Sequence, residues 1–183
     1  MSEISDHFRR VADDFTARVD AVPADGWDRP SPCEGWVARD VVGHVVDTLG
    51  MFLGRVGVEM PVGPSVKDDP AGAWRTARGA AEAALGDPAV ARREYESPMF
   101  GTTTLEQTVG TFGVGDVLIH TWDLARAVGL DERLDQEEVR RLFESMEPND
   151  ELMRQGTAFG PRVEVPDDAD EQTKLLAFTG RRP

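Results

Sequence analysis

The sequence predicts an all-α fold, a bundle of four main helices. Three observations carry that expectation. Apolar residues recur at steps of three and four along most of the chain. Helix-start residues stand ahead of those runs, and Gly or Pro closes them. The one stretch with a different character, rich in Thr and aromatics, is short.

The first helix follows from Ile4, Phe8, Val11, Phe15 and Val19, one apolar stripe that ends before Pro23. From Pro23 to Trp36 three prolines and two glycines forbid regular structure, so an ordered loop is expected. Trp27 and Trp36 are costly to leave in water, and they should pin that loop to the core. From about Arg39 a second helix places Val41, Val42, Val45, Val46, Leu49, Phe52, Leu53 and Val56 on a broad apolar face. Asp69-Pro70, an N-cap acid with proline at the first helical position, opens a third helix that Gly86-Asp87-Pro88 ends.

Residues 93–104, around Ser97-Pro98-Met99-Phe100-Gly101, read as a short hairpin. Thr104-Leu105-Glu106-Gln107 has the capping-box form and starts a long fourth helix, to about Val128 with Gly129 after it. Asp135 opens a further helix through Val139, Leu142, Phe143 and Met146. Residues 148–169 are loop-like around Phe159-Gly160-Pro161, and a short helix follows at about 170–179. We expect one domain over 1–183, with a helical core at about 3–147 and a small C-terminal extension at about 148–183.

The chain has 183 residues and a formal charge of −14. That charge argues against nucleic acid and against anionic lipid, both of which need a basic face. The single cysteine, Cys33, excludes an internal disulfide and cysteine-rich zinc sites. No signal peptide and no membrane-length apolar run is visible, so a reduced, cytoplasmic compartment is expected.

Only three histidines are present. His120 lies inside the fourth helix, and Asp116 precedes it by four residues, on the same face. His44 lies mid-way along the second helix among Gly43, Val45 and Val46. Packing the two helices together would join two imidazoles and a carboxylate, a donor set of catalytic zinc sites that non-haem iron shares. The same residues also read as core histidines with Asp116 as a salt-bridge partner. His7, beside Phe8 near the N-terminus, reads as a surface residue.

Pro30-Ser31-Pro32-Cys33-Glu34-Gly35-Trp36 followed by Arg39-Asp40-Val41-Val42-Gly43-His44 resembles the opening signature of the DinB/YfiT-like superfamily, actinobacterial type. Within it, the chain resembles the branch of the mycothiol-dependent maleylpyruvate isomerase. His120-Thr121-Trp122-Asp123-Leu124-Ala125-Arg126-Ala127 and Phe159-Gly160-Pro161 are similar to later signatures of that branch. The resemblance implies a DinB-type four-helix bundle with a divalent metal. Zinc is the usual ion, and nickel, iron and manganese are alternatives. The family's ligands fall on His44, Asp116 and His120. The isomerase has Glu where this chain has Asp116, one methylene shorter. It also has a second, C-terminal domain, for which 183 residues leave little room. What carries over is the site and its chemistry: a metal that binds a low-molecular-weight thiol, mycothiol, and lowers its pKa.

Asp47 and Asp123 each follow a histidine by three residues. Each either orients an imidazole or faces solvent, or pairs with Arg39 or Arg126. Cys33, with Arg29 as its only basic neighbour in sequence, is expected to be structural, as are the four tryptophans.

The resulting expectation is a metal- and thiol-dependent transferase or isomerase acting on a small electrophile. The alternatives are a metal-dependent hydrolase with a metal-bound water, and a non-catalytic metal- or ligand-binding bundle. The expected partners are a small-molecule substrate and the thiol. Bundles of this kind often pair, so a homodimer is among the expected states.

Overall fold

A computed structural model describes residues 2–97, 101–153 and 160–183. Helix α1 spans Glu3–Ala21, capped by the Ser2 hydroxyl, which accepts from the Ser5 N–H. Helix α2 spans Ala38–Arg55, and the Asp40 carboxylate turns back to accept from the Val37 N–H. Helix α3, Pro70–Gly86, starts as its Asp69-Pro70 signal predicts, with the Asp69 carboxylate accepting from the Gly72 N–H. A single turn, α4 (Pro88–Ala91), leads into the hairpin.

The hairpin consists of β1 (Glu94–Ser97) and β2 (Gly101–Thr104), antiparallel, with Glu94 opposite Thr104 and Ser97 opposite Gly101. Its tip at 98–100 lies outside the described residues.

The capping box at Thr104 forms as expected: its hydroxyl accepts from the Gln107 N–H, and the Gln107 side chain accepts from the Thr104 N–H. The helix it opens is not uniform. Helix α5 (Leu105–Thr108) passes into a π-helical turn at Val109–Gly113, and α6 (Val114–Val128) continues from it. The sequence predicts one continuous α-helix here. The wider turn inserts an extra residue just ahead of Asp116 and re-phases the face that carries the candidate ligands. Gly129 ends α6 in the left-handed region, at φ 77°.

Helices α1, α3, α2 and α6 pack as a closed ring, each against its two neighbours. Their shared core holds Phe8, Phe15, Leu49, Leu53, Trp74 and Leu118. Trp74 is fully buried, and its indole N–H donates to the Thr16 hydroxyl at 2.8 Å, so its one polar atom is satisfied. Helix α6 is buried on nearly every side from Val114 to Ala125, which is why charged residues inside it need local partners.

The C-terminal part holds more helix than a loop-like reading of 148–169 allows. Helix α7 (Gln136–Met146) runs into a 3₁₀ turn at Glu147–Asn149 and a short helix, α8 (Asp150–Met153). Phe159, part of the Phe-Gly-Pro signature, lies outside the described residues. Helix α9 (Glu171–Phe178) packs against α7, and the Gln172 side chain accepts from the Leu134 N–H. Among the described residues, no helix is long and apolar enough to cross a membrane.

Candidate metal centre

Helices α2 and α6 meet where His44 and Asp116 face each other. His44 Nε2 lies 3.1 Å from Asp116 Oδ1, and His120 Nε2 lies 3.5 Å from the same oxygen. The two imidazole rings stand edge to face, with centroids 4.7 Å apart. One ligand atom from each of His44, Asp116 and His120 lies within 4.8 Å of the other two. Ligands at about 2.0–2.1 Å from a tetrahedral ion stand about 3.3 Å from one another, so the observed 3.1 and 3.5 Å match the edges of such a site.

The second Asp116 oxygen, Oδ2, is sealed from solvent and has no hydrogen-bond partner. A buried, unpartnered carboxylate oxygen is expensive, and a cation beside it removes that cost. The donor set and this orphaned oxygen both fit a divalent ion.

Electrostatics point the same way. Burial pushes the Asp116 carboxyl up, but the His120 and His44 imidazoles outweigh it and hold it below its ordinary value. Burial disfavours a charged His120 ring, but the Asp116 carboxylate, with Asp123 behind it, raises its pKa well above 6.5. In the metal-free chain this favours a protonated His120 beside Asp116, while Asp123 also has the Arg181 guanidinium.

Asp123 lies on the opposite side of the His120 ring. Positions 116, 120 and 123 form one stripe along α6, so the imidazole sits between two carboxylates. Asp123 Oδ2 is 2.9 Å from His120 Nδ1, a charge contact that is not aligned as a hydrogen bond. Asp123 is fully buried, which removes the solvent-facing alternative and leaves it between the His120 ring and the Arg181 guanidinium. Asp47 is exposed, which selects the solvent-facing alternative. The arginines weighed as their partners are engaged elsewhere: Arg39 with Asp28, and Arg126 with Glu132 and over the Trp122 ring.

Three residues behave differently from their sequence reading. Trp36 packs on the core as expected, but it also lies against both imidazoles, at 5.2 Å from His44 and 6.0 Å from His120 between centroids. His7 is half-buried where a surface position is expected: it contacts the Glu138 carboxylate, and both line the cavity that the centre opens into. Cys33 is half-buried and has a basic neighbour that sequence proximity does not show. Its thiol donates to Asp123 Oδ2 at 3.4 Å, and Arg181 Nη2 lies 3.8 Å from its sulfur.

Cys33, His120 and Asp123 form a second cluster of metal-type donors. There the cation's place is already taken, because the Arg181 guanidinium lies 2.8 Å from Asp123 Oδ2.

The centre opens into a cavity of about 1950 Å³. Its wall includes Trp36 and Thr48, which lie against His44, together with Phe52, Arg141, Arg162 and Arg182. A ring of four helices with two histidines and a carboxylate converging beside such a cavity is a helical bundle consistent with the DinB-like fold, carrying a cluster of metal-type donors. The comparison with known families is more specific. The model of the mycothiol maleylpyruvate isomerase N-terminal domain matches residues 8–125, nearly two thirds of the chain. The chain belongs to that family. It is also 29% identical over 175 residues to an uncharacterized protein of Mycobacterium tuberculosis, found in two strains, with 94% of each chain covered. No solved structure matches it.

Proposed function

We propose that this chain binds one divalent metal ion, zinc by preference, through His44 Nε2, an Asp116 oxygen and His120 Nε2. On this reading it is a thiol-dependent transferase or isomerase that acts on a small electrophile in a reduced, cytoplasmic setting. The observation that carries it is the convergence of both imidazoles on Asp116 Oδ1 in the wall of an open cavity, with the buried second oxygen, Oδ2, left without a partner. Family membership favours mycothiol as the thiol.

When bound, the metal supplies Lewis acidity that lowers the pKa of a thiol beside it. The chain's own residues do the rest. Asp116 compensates the charge and faces both imidazoles. Asp123 contacts His120 Nδ1, which directs Nε2 at the donor set. Trp36 packs against the two rings. The cavity would receive the thiol and the electrophile, and its wall carries Arg162 and Arg182 beside Glu34, Glu138 and Glu164.

Titration calorimetry of the zinc-loaded protein with mycothiol tests the reading. The expected result is saturable binding that a chelator abolishes. No thiol binding, with chelator-sensitive ester or amide cleavage in its place, would contradict the thiol reading and select hydrolysis.

A further inference from the structure

Arg181 lies outside the span that matches the family model, yet its side chain reaches the centre. Nε donates to Asp123 Oδ1 at 3.3 Å and Nη2 to Asp123 Oδ2 at 2.8 Å, a two-pronged grip on one carboxylate. The pair is deeply placed, with side-chain exposures of 12% for Arg181 and 0% for Asp123. Nη1 is engaged too, on the Thr179 carbonyl at 3.2 Å.

The backbone aims this arginine. After α9 the Gly180 N–H bonds to the Ala177 carbonyl and the Arg181 N–H to the Leu176 carbonyl, the paired bonds of a Schellman turn. Gly180 adopts φ 87°, and a Cβ there would lie 2.9 Å from the Gly160 Cα. The turn therefore requires glycine, and it directs the next side chain back into the bundle.

We infer that Arg181 is a positioning residue for the metal centre, acting through Asp123 on His120. The inference rests on the metal reading above. A bidentate guanidinium fixes the plane of the Asp123 carboxylate, and that carboxylate meets His120 Nδ1. With the carboxylate 2.9 Å from Nδ1 on one side of the ring, Nε2 on the other side faces His44 and Asp116. Lysine cannot reproduce this, because it is a point charge without the planar fork. The segment that follows α9 is thus a working part of the centre.

Cobalt(II) binding, followed by its visible absorption, tests this in the full chain. Arg181→Met is expected to weaken cobalt binding by about 10–100-fold and to change the absorption bands. Asp123→Asn should do the same, and the double variant should bind no more weakly than Asp123→Asn alone, since one residue acts through the other. Circular dichroism and melting curves check that each variant folds. If Arg181→Met does not fold, Arg181→Lys gives the answer: it keeps the buried charge, and cobalt binding should still fall by several-fold with altered bands. Wild-type affinity and spectrum in whichever variant folds, or additive losses in the double variant, overturn the inference. A wild-type chain that takes up no cobalt overturns the metal centre itself, and this inference with it.

Discussion

His44 Nε2 and Asp116 Oδ1, 72 residues apart in sequence, meet at 3.1 Å across the packing of α2 on α6. That single contact turns two helices into one centre. It also makes Asp116 the pivot, since the same oxygen faces His120 at 3.5 Å.

Asp116 should tolerate lengthening better than loss of charge. Asp116→Glu keeps a carboxylate and is expected to retain metal within about tenfold. Asp116→Asn removes the charge that both imidazoles face, and should cost more than the roughly 10–100-fold typical of changes beyond the ligands. Competition against a chromogenic chelator gives both values. Equal affinity in the two variants would remove Asp116 from the ligand set.

Metal binding should depend on pH through His120. Its ring holds a proton to well above pH 6.5 in the metal-free chain, because Asp116 and Asp123 outweigh the cost of burial. A metal must displace that proton, so affinity rises with pH and binding releases close to one proton at neutral pH. The metal-free fold follows the opposite sign. Its raised His120 pKa contributes stability that is fully present below pH 6.5 and lost as pH climbs through the raised value. Calorimetry in two buffers of different ionisation enthalpy measures the proton release. Affinity that does not change between about pH 6 and pH 8 would contradict it.

Trp36 should report on the centre optically. It lies against both imidazoles, so cobalt(II) binding is expected to quench part of the tryptophan fluorescence. Trp36→Phe should remove most of that quenching while cobalt still binds. Quenching that persists unchanged in the variant would place the metal elsewhere.

The C-terminal turn makes a stability prediction. Gly180→Ala forces a side chain into the left-handed region and against Gly160, and should cost about 1–3 kcal/mol. Urea unfolding gives the value. An unchanged midpoint would mean that the turn gives way, and Arg181 would then not be held by it.

The helices were legible because their signals are local. Asp69-Pro70, Thr104 with Gln107, and Asp135 each cap a helix at the predicted place. His44, Asp116 and His120 stood out because histidine is scarce and because residues 116 and 120 share a helix face. What stayed hidden depends on contacts distant in sequence. Arg181 is 58 residues from Asp123, and no periodicity links them. The signal was indirect: a carboxylate inside an apolar helix requires a compensating cation from somewhere. Position alone puts His7 at the surface, and its partner Glu138 lies 131 residues away. The π turn ahead of Asp116 has no local mark in Val109-Gly110-Thr111-Phe112-Gly113 that separates it from ordinary helix.

Metal content measures the central claim most directly. Protein loaded with zinc and freed of excess should hold close to one ion per chain, and His44→Ala, still folded, should hold far less. Full occupancy in His44→Ala, or no retained metal in the wild-type chain, would contradict the centre formed by His44, Asp116 and His120.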